Sequence, residues 1–388
     1  MINETNKAGQ KRARDFGIAF DGRPGPLNAI TDIAGIHVGF STIHEEVPRP
    51  GRKLPVRTGV TAILPHAAAS EPVPVFAGIH RFNGNGEMTG SHWIEDGGYF
   101  VGPVLITNTH SVGIAHHSAV RWMIDRYTAT YEGNEHLWIM PVVAETYDGL
   151  LNDINGQHVT VDHVFEALNG ANTGPVAEGS VGGGTGMIAY GFKGGTGTAS
   201  RRIAVDGKEF TVAALVQANH GQREWLSIGG LPVGKLLQQT DPDLSERGSI
   251  IVVIATDLPL APHQLQKLAR RGAIGIGRNG TVGGNNSGDI FLAFSTANPH
   301  PMRHKAGPLL NIVMVNDDVL DPVYQAVVQS VEEAVVNAMI ATETTGGTLH
   351  DRYLIEAIDG NEVARLLGSR ISNLQPQSSL HRTVAIQP

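Results

Sequence analysis

The chain alternates between short apolar runs and polar or glycine-rich connections, and this pattern predicts strands and helices mixed along its whole length. Apolar runs typical of strands occupy residues 36–40, 59–64, 101–107, 137–143, 187–192, 210–219, 249–257 and 290–295. Apolar residues at helical spacing predict helices over residues 110–127, 161–169, 262–271, 321–341 and 361–367. Because no repeat or composition break is visible, we expect one α/β domain with a layered core over residues 1–388.

Two polar segments interrupt this pattern. Residues 1–17 combine charges with few apolar positions, and we expect them to form a mobile arm. Residues 235–248 lose apolar character and contain Asp-Pro-Asp, which is typical of a surface loop. That loop ends abruptly at Gly248-Ser249, where a β-branched strand of the buried type begins.

Composition narrows the class of protein. Hydrophobic residues make up 41% of the 388, which excludes disorder of the whole chain. The net charge of −8 excludes a generally basic nucleic-acid surface, and the lack of cysteine excludes disulfides and a Cys nucleophile. No secretory signal is visible, and no apolar run approaches the roughly 20 residues that span a bilayer. We therefore expect a cytoplasmic protein without a membrane or nucleic-acid partner.

Three patterns resemble binding motifs for phosphate, dinucleotides or metal, but each lacks a feature that the motif requires. GGLPVGKL at 229–236 nearly matches a phosphate-binding loop, but Leu236 stands where the metal-binding hydroxyl is required. The glycines of 275–280 have dinucleotide-motif spacing, yet they follow a predicted helix instead of a strand. Three histidines lie within 110–117, but no H-E-x-x-H pair or evident third ligand accompanies them, so we expect neither metal nor cofactor.

Gly248 and Ser249, at the junction of the loop and the strand, are residue types that permit cleavage of the peptide bond between them. Glycine permits backbone shapes that a Cβ forbids, and a Ser hydroxyl held against the preceding carbonyl can attack it and convert the amide to an ester. Hydrolysis of that ester would leave Ser249 as a new N-terminus. Its α-amine, with an ordinary pKa of about 7.7–8.0, can act as the base for its own hydroxyl. The alternative interpretation is a plain Gly-Ser turn before a strand.

Other segments place polar groups at strand ends. Ser287 and Asp289 stand two residues apart at a strand entrance, so they can form a short relay on one face, although loop capping also explains them. The amide of Asn219 could donate to an oxyanion. After another strand, the carboxylate of Glu145 could hold a substrate ammonium and the phenol of Tyr147 could donate a second hydrogen bond. An exposed loop carboxylate is the alternative for Glu145.

Taken together, these segments resemble the DmpA/BapA-type family of L-aminopeptidase/D-amidase-esterases and β-peptidyl aminopeptidases. The similar blocks, in the same order from about residue 30 to 298, are ITDIAGIHVGF, RTGVTAILPH, FNGNGEMTG, PVVAETYDGLLND, EGSVGGGTGM, GFKGGTGTASR, VQANHG, GSIIVVIATDLPL and NGTVGGNNSGDIFLAFSTAN. The resemblance implies a four-layer α-β-β-α sandwich of the N-terminal-nucleophile-hydrolase type, without metal or cofactor. It also implies self-cleavage into a large subunit, 1–248, and a small subunit, 249–388, and a homo-oligomer, a tetramer of processed pairs.

The resemblance also implies a role for each candidate residue. The roles are the nucleophile and new N-terminus for Ser249, the relay for Ser287 and Asp289, the oxyanion donor for Asn219, substrate amine binding and contact for Glu145 and Tyr147, and a wall of the acyl-side pocket for Trp138. Some relatives have Glu where Asp289 stands. The resemblance implies substrates with a free amine, namely peptides, amides and esters that carry a small L- or D-residue, or a β-residue, at the N-terminus. Gly248, where some β-peptide specialists have Asn, favours the L- or D-residues over the β-residues.

Two other functions compete with this interpretation. Ornithine acetyltransferases share the self-cutting layered fold, but they use a Thr nucleophile, and Ser249 argues against that class. An uncleaved scaffold without catalysis would make the set of Ser249, Ser287, Asp289 and Asn219 a coincidence.

Overall fold

The computed structural model describes residues 11–128, 131, 137–237, 248–346 and 354–373. Most of the surface loop that the sequence predicts at 235–248 therefore lies outside the described residues, as do residues 1–10 of the predicted N-terminal arm.

Two β-sheets form the centre of the molecule. The first contains, in spatial order, β1 (His37–Glu45), β2 (Val56–Leu64), β5 (Val104–Asn108) and β6 (Val142–Thr146). The second contains β4 (Tyr99–Val101), β3 (Pro74–Arg81), β12 (Asp289–Ser295), β11 (Ser249–Thr256), β10 (Lys208–Asn219) and β9 (Gly195–Val205). A separate two-stranded ladder joins β7 (Ile188–Ala189) to β8 (Phe192–Lys193).

Helices cover the outer faces of both sheets. The helices of the described residues are α1 (Ser91–Gly97), α2 (Val112–Tyr127), α3 (Val161–Asn169), α4 (Val233–Leu236), α5 (Pro262–Arg278), α6 (Asp321–Ile340) and α7 (Gly360–Asn373). Helices α2 and α3 pack on the four-stranded sheet, and α5 and α6 pack on the six-stranded sheet. This arrangement confirms the α-β-β-α sandwich that the sequence blocks imply.

The side chains of strand β11 alternate between two hydrophobic cores. Ile250, Val252 and Ile254 belong to the helix-side core, whereas Ile251 and Val253 belong to the core between the sheets. Because alternate side chains of a strand point to opposite faces, a strand buried on both faces needs a continuous apolar run. The run of residues 250–254 meets this requirement, which places Ser249 at the entrance of a central strand.

The neighbours of β11 bring two further chain segments to that entrance. Strand β10 runs antiparallel to β11 and pairs Asn219 with Ser249. Strand β12 runs parallel to β11 and pairs Asp289 with Ile250. The C-terminal end of β10 and the N-terminal ends of β11 and β12 therefore meet at one end of the six-stranded sheet.

Several elements differ from the sequence prediction. Helix α1 and strands β3 and β9 were not predicted, and β6 covers Val142–Thr146 where the apolar run predicted 137–143. The predicted strand 187–192 is divided between β7 and β8. Strand β9, GTGTASRRIAV, has few apolar residues, but α6 and β10 bury most of it.

The described part of the N-terminal arm is anchored, so the prediction of a mobile arm over 1–17 is wrong for residues 11–17. Residues Ala13–Phe16 form a 3-10 helix, and Arg14 pairs with Glu333 at 2.6 Å. Arg201 of β9 pairs with the same carboxylate at 2.6 Å, and both partners are fully buried. Burial would raise the pKa of Glu333, but the hydrogen bond from Arg14 and the charges of Arg201 and Arg14 hold it below its usual value.

Glycines in the strands allow the helices to approach the sheets closely. A Cβ on Gly39 of β1 would stand 2.0 Å from the carbonyl oxygen of Ala167 in α3. A Cβ on Gly197 of β9 would stand 2.1 Å from the carbonyl oxygen of Ala334 in α6. Because backbone atoms cannot yield as a flexible side chain does, the layer spacing depends on these positions lacking a side chain.

We expect Gly197→Ala to lower the apparent Tm, because overpacking of a core typically costs about 1–3 kcal/mol. Gly113→Ala is the matched control, since Gly113 lies exposed in α2 with no atom near the added methyl group. Alanine in a helix is favoured over glycine, so the control should hold or raise the apparent Tm. Thermal scans at one fixed rate measure both variants, and an unchanged apparent Tm for Gly197→Ala would contradict the packing argument.

Candidate active site

Ser249 is the first residue of β11 and is almost fully buried, with 5% of its surface exposed. Its Oγ accepts a hydrogen bond of 2.9 Å from the backbone N–H of Gly288. This contact fixes the hydroxyl oxygen between the entrance of β11 and the loop that leads into β12.

Gly248 is required by close packing and not by backbone strain. Its φ lies outside the left-handed region, but a Cβ at this position would stand 1.5 Å from the carbonyl oxygen of Asn219. The same hypothetical Cβ would lie 3.1 Å from Nδ2 of Asn219. The peptide before Ser249 is therefore pressed directly against Asn219.

Ser287 and Asp289 are fully buried and bonded to each other. Ser287 Oγ donates to Asp289 Oδ1 at 2.5 Å. Burial raises the pKa of Asp289, while hydrogen bonds from Ser287, from the Ile250 N–H and from Asn83 oppose that rise. The structure thus shows the predicted bond between Ser287 and Asp289, and links Asp289 to the residue that follows Ser249.

The Asn219 amide is held in one orientation by two backbone groups. Its Oδ1 accepts from the Ile188 N–H at 2.8 Å, and its Nδ2 donates to the Tyr147 carbonyl at 2.9 Å. An amide nitrogen carries two hydrogens, and only one of those on Nδ2 has a partner among the described residues; Nδ2 lies 3.1 Å from the place that a Cβ on Gly248 would take. This donor is placed to stabilise negative charge on an oxygen beside Ser249.

Glu145, the penultimate residue of β6, is 97% buried, with 3% exposed. Its Oε1 accepts from the Glu87 N–H at 2.9 Å, and its Oε2 accepts from Thr109 Oγ1. Burial raises the pKa of Glu145, and the charge of Glu87 adds to the rise, whereas those two hydrogen bonds and His110 oppose it. The alternative of an exposed loop carboxylate is therefore wrong.

The two aromatic candidates lie in different places. Tyr147 is adjacent to the site, since its carbonyl holds Asn219, and its side chain is 39% exposed. Trp138 packs edge-on against Trp93 and lies beside Tyr99. In β3, Phe76 pairs with Tyr99 of β4, whereas Arg81, five residues further on, pairs with Ile290 of β12, the residue after Asp289. The contacts of Trp138 are thus at the other end of the sheet, away from Ser249.

A segment to which the sequence assigned no role joins the two halves of the site. We call residues 82–89, FNGNGEMT, the bridging segment. Its Asn85 side chain donates to the Asn286 carbonyl at 2.7 Å, and Glu87 caps Glu145 as described. Its similarity to the family block was visible in the sequence, but its contacts are made with residues about 60 and 200 positions away, which no local pattern reveals.

The described ranges contain no group of three His, Asp or Glu side chains arranged to hold a metal ion. Within the same ranges, no helix has both the length and the apolar character that crossing a membrane requires.

Comparison with known proteins identifies the family. The model of peptidase family S58 matches residues 28–352. The β-peptidyl aminopeptidase BapA of Sphingosinicella microcystinivorans is 48% identical over 372 residues, covering 92% of this chain and 91% of that protein. BapA of Sphingosinicella xenopeptidilytica is 43% identical over 378 residues, with the same coverage of both chains.

Solved structures agree with this assignment. The L-aminopeptidase D-Ala-esterase/amidase from Ochrobactrum anthropi, described as a prototype of the serine aminopeptidases and a variant of the Ntn hydrolase fold, is 64% identical with a TM-score of 0.89. The match covers 94% of this chain and 99% of that one. A β-aminopeptidase from Burkholderia sp. is 44% identical with a TM-score of 0.83, covering 94% and 100% of the two chains.

The fold is thus the serine-aminopeptidase variant of the Ntn hydrolase fold, and the protein is a hydrolase of the aminopeptidase type. The chain belongs to peptidase family S58. These findings confirm the resemblance drawn from the sequence blocks, and they do not favour the acyltransferase or the non-catalytic scaffold.

The oxyanion role expected of Asn219 predicts that Asn219→Ala lowers kcat far more than it raises KM, because removing one oxyanion donor typically costs about 10²–10³ in kcat. Steady-state kinetics on a matured variant measures the split. Asn172→Ala is the control, since Asn172 follows α3 and its side chain donates to the nearby Gly170 carbonyl. An effect of Asn219→Ala confined to KM would instead indicate a contact that is already made with the bound substrate and does not strengthen in the transition state.

Proposed function

We propose that the chain cleaves itself between Gly248 and Ser249, and that the exposed Ser249 then removes small N-terminal residues from peptides, amides and esters. One observation carries this proposal: Ser249, the Asn219 amide and the Gly288 N–H converge at the entrance of β11. A hydroxyl nucleophile and a donor for the oxyanion are two of the parts that acyl transfer to serine requires, and the α-amine that the cut would free supplies the third, a general base.

Self-cleavage begins when Ser249 Oγ attacks the Gly248 carbonyl carbon. The bond from that carbon to the Ser249 nitrogen breaks, the hydroxyl proton passes to the nitrogen, and an ester remains. Water hydrolyses the ester, releasing the Gly248 carboxylate and restoring the hydroxyl. Because Gly248 is packed against Asn219, the remaining amide hydrogen can stabilise the oxyanion in this step as well.

Peptide cleavage repeats the same chemistry on a substrate. The α-amine of Ser249 takes the proton from Oγ as Oγ attacks the substrate carbonyl, and this proton then goes to the departing amine. An unperturbed α-amine has a pKa of about 7.7–8.0, so a useful fraction is neutral near neutral pH. We assign Ser287 and Asp289 to a relay that orients groups around Ser249, supported by their short bond and the Asp289 contact with Ile250.

Amine recognition makes the enzyme an exopeptidase, and we assign it to Glu145 with Tyr147 as a further substrate contact. A carboxylate can accept more hydrogen bonds than the two that Glu87 and Thr109 supply, so it retains capacity for an ammonium group.

Substrate preference and assembly are extensions of the same proposal. Identity of 64% to an L-aminopeptidase D-Ala-esterase/amidase, against 43–48% to β-peptidyl aminopeptidases, supports small L- or D-residues over β-residues. The wall role of Trp138, the tetramer of processed pairs and the cytoplasmic location remain predictions.

A denaturing gel tests self-cleavage. Purified protein should give pieces of 248 and 140 residues, and the smaller should begin Ser-Ile-Ile-Val-Val. Ser249→Ala should stay as a single chain, because it lacks the attacking oxygen. Folded, unmodified protein that remains one band would refute the proposal.

Paired substrates test amine recognition. A free amino-acid p-nitroanilide should be preferred over its N-acetyl form by at least about tenfold, the factor that 1.4 kcal/mol supplies. Glu145→Gln should reduce that preference while leaving the cut at Gly248 intact. Equal turnover of the two substrates by the unmodified enzyme is the result that would remove Glu145 from this role.

A further inference from the structure

Strand β10 carries two amide side chains on the face that lies toward the other sheet. Along that face, Ala213 and Leu215 belong to the core between the sheets. The next two positions on the same face are Gln217 and Asn219, because alternate residues of a strand share a face. The space between the sheets is therefore filled by apolar side chains in the middle and spanned by polar ones at the end where Ser249 lies.

Gln217 binds two neighbouring strands of the four-stranded sheet through its amide nitrogen. Nε2 donates to the Thr107 carbonyl of β5 at 3.1 Å and to Thr146 Oγ1 of β6 at 2.7 Å, and all three residues are fully buried. Thr146 Oγ1 in turn donates to Met187 Sδ at 2.8 Å, and Met187 directly precedes the residue whose N–H holds the Asn219 amide. One side chain thus ties β10 to both β5 and β6.

Packing alone does not explain a glutamine at position 217. Its Oε1 is buried and has no hydrogen-bond partner among the described residues. Gly183 packs directly against that oxygen, since a Cβ on Gly183 would stand 2.2 Å from it. An unpartnered buried acceptor costs stability, and an apolar residue would avoid that cost. What a glutamine supplies here, and an apolar residue does not, is the pair of hydrogen bonds from its nitrogen.

Those two bonds link the chain segments that carry the two ends of the proposed substrate site. On β10, Asn219 follows Gln217 by two residues. On the other sheet, Glu145 pairs with Thr107 in the ladder between β5 and β6, and it directly precedes Thr146. The distance from the oxyanion donor to the amine-binding carboxylate therefore depends on the spacing that Gln217 holds.

On the β12 side of the site, a glycine of the bridging segment sets the same spacing. A Cβ on Gly86 would stand 3.2 Å from Glu145 Oε1 and 3.5 Å from Gly288 Cα. Gly288 supplies the N–H that holds Ser249 Oγ. The separation of Glu145 from the Ser249 side is therefore fixed from two directions, by Gly86 next to β12 and by Gln217 on β10.

This separation matters because the ammonium group and the scissile carbonyl of one substrate residue must reach both sides at once. In an α-amino acid, the two groups are bonded to the same carbon, so bond geometry fixes the distance between them. A β-amino acid has one more methylene, and rotation about the additional bond adjusts that distance. A misplacement of about 1 Å can cost about 10²-fold in rate, and the α-residue has no torsion angle that compensates for it.

We propose that Gln217 is a positioning residue, which fixes the distance between Glu145 and Asn219 and thereby favours α-residues over β-residues as substrates. Gln217 acts through the strands that it joins and does not contact the substrate. This inference rests on the proposed function, because it concerns how the amine recognition assigned to Glu145 is aligned with the attacked carbonyl. Self-cleavage involves no substrate ammonium, so it does not depend on that distance.

Gln217→Met tests the proposal, because methionine has a similar length and cannot donate either hydrogen bond. The substrates are glycine p-nitroanilide and β-alanine p-nitroanilide, which differ by one backbone methylene. We expect kcat for the glycine substrate to fall at least about tenfold and kcat for the β-alanine substrate to fall much less. The cut at Gly248 should still be complete on a denaturing gel. A purely structural role would lower both kcat values by the same factor and leave their ratio unchanged.

Gln264→Met is the matched control. Gln264 of α5 is equally buried, and its Nε2 also donates two hydrogen bonds, to the Val315 carbonyl at 2.7 Å and to Asp317 Oδ1 at 2.6 Å. Those bonds lie on the helix layer and not between the sheets. Gln264→Met should therefore lower the apparent Tm without changing the ratio of the two kcat values.

A second pair of variants tests the same contact from the other sheet, and it decides the question if Gln217→Met does not fold. Thr146→Val keeps the shape of the side chain but removes the acceptor, so it should change the kcat ratio in the same direction as Gln217→Met. Thr146→Ser keeps the hydroxyl and should retain the unmodified ratio. If Gln217→Met and Thr146→Val both leave the ratio as Gln264→Met does, the positioning role is wrong. The proposed function still stands in that case, provided that the unmodified chain cuts itself and prefers a free amine.

Discussion

The site depends on one backbone pairing, in which Asn219 at the end of β10 lies opposite Ser249 at the start of β11. This pairing presses the Gly248 peptide against Asn219 and leaves no space for a side chain. It also orients the Asn219 amide, because Ile188 and Tyr147 take its oxygen and one of its hydrogens. The ladder itself thus positions the proposed nucleophile, Ser249, and the proposed oxyanion donor, Asn219, so that neither would have to reorganise during the reaction.

Burial governs the electrostatics around that ladder. Asp289 and Glu145 are both removed from water, and burial raises the pKa of each. The two carboxyl groups differ in the hydrogen-bond donors that replace the lost water. Asp289 receives hydrogen bonds from the Ser287 hydroxyl, from the Ile250 N–H of β11 and from the Asn83 side chain, whereas Glu145 receives them from the Glu87 N–H and from the Thr109 hydroxyl. One carboxyl therefore lies at the entrance of β12 and the other near the end of β6, although burial raises the pKa of both.

The sequence predicts those parts of the molecule that local pattern encodes. The β-branched run after Ser249 and the long helix α6 follow from hydrophobic periodicity, and the strand end at Asn219 follows from the run before it. The apolar run 137–143 places Glu145 after a strand, whereas β6 begins later and includes Glu145. Strand β9 escaped prediction because its polar residues are buried by distant partners, as Arg201 is by Glu333. The bridging segment escaped assignment for the same reason: its glycines are typical of any turn, and only tertiary contacts show what they separate.

The order of the strands has a consequence for a chain cut before Ser249. Strands β11 and β12 would then belong to one fragment, yet they lie between β10 and β3 of the other in a single sheet. Neither fragment could leave without breaking hydrogen-bonded ladders on both sides, so the fragments would be interlocked. Once separated, they would have to find each other in solution to rebuild the sheet, an encounter that the uncut chain never needs. The durability of the cut protein would therefore be set by how slowly it opens, not by an equilibrium between folded and unfolded states.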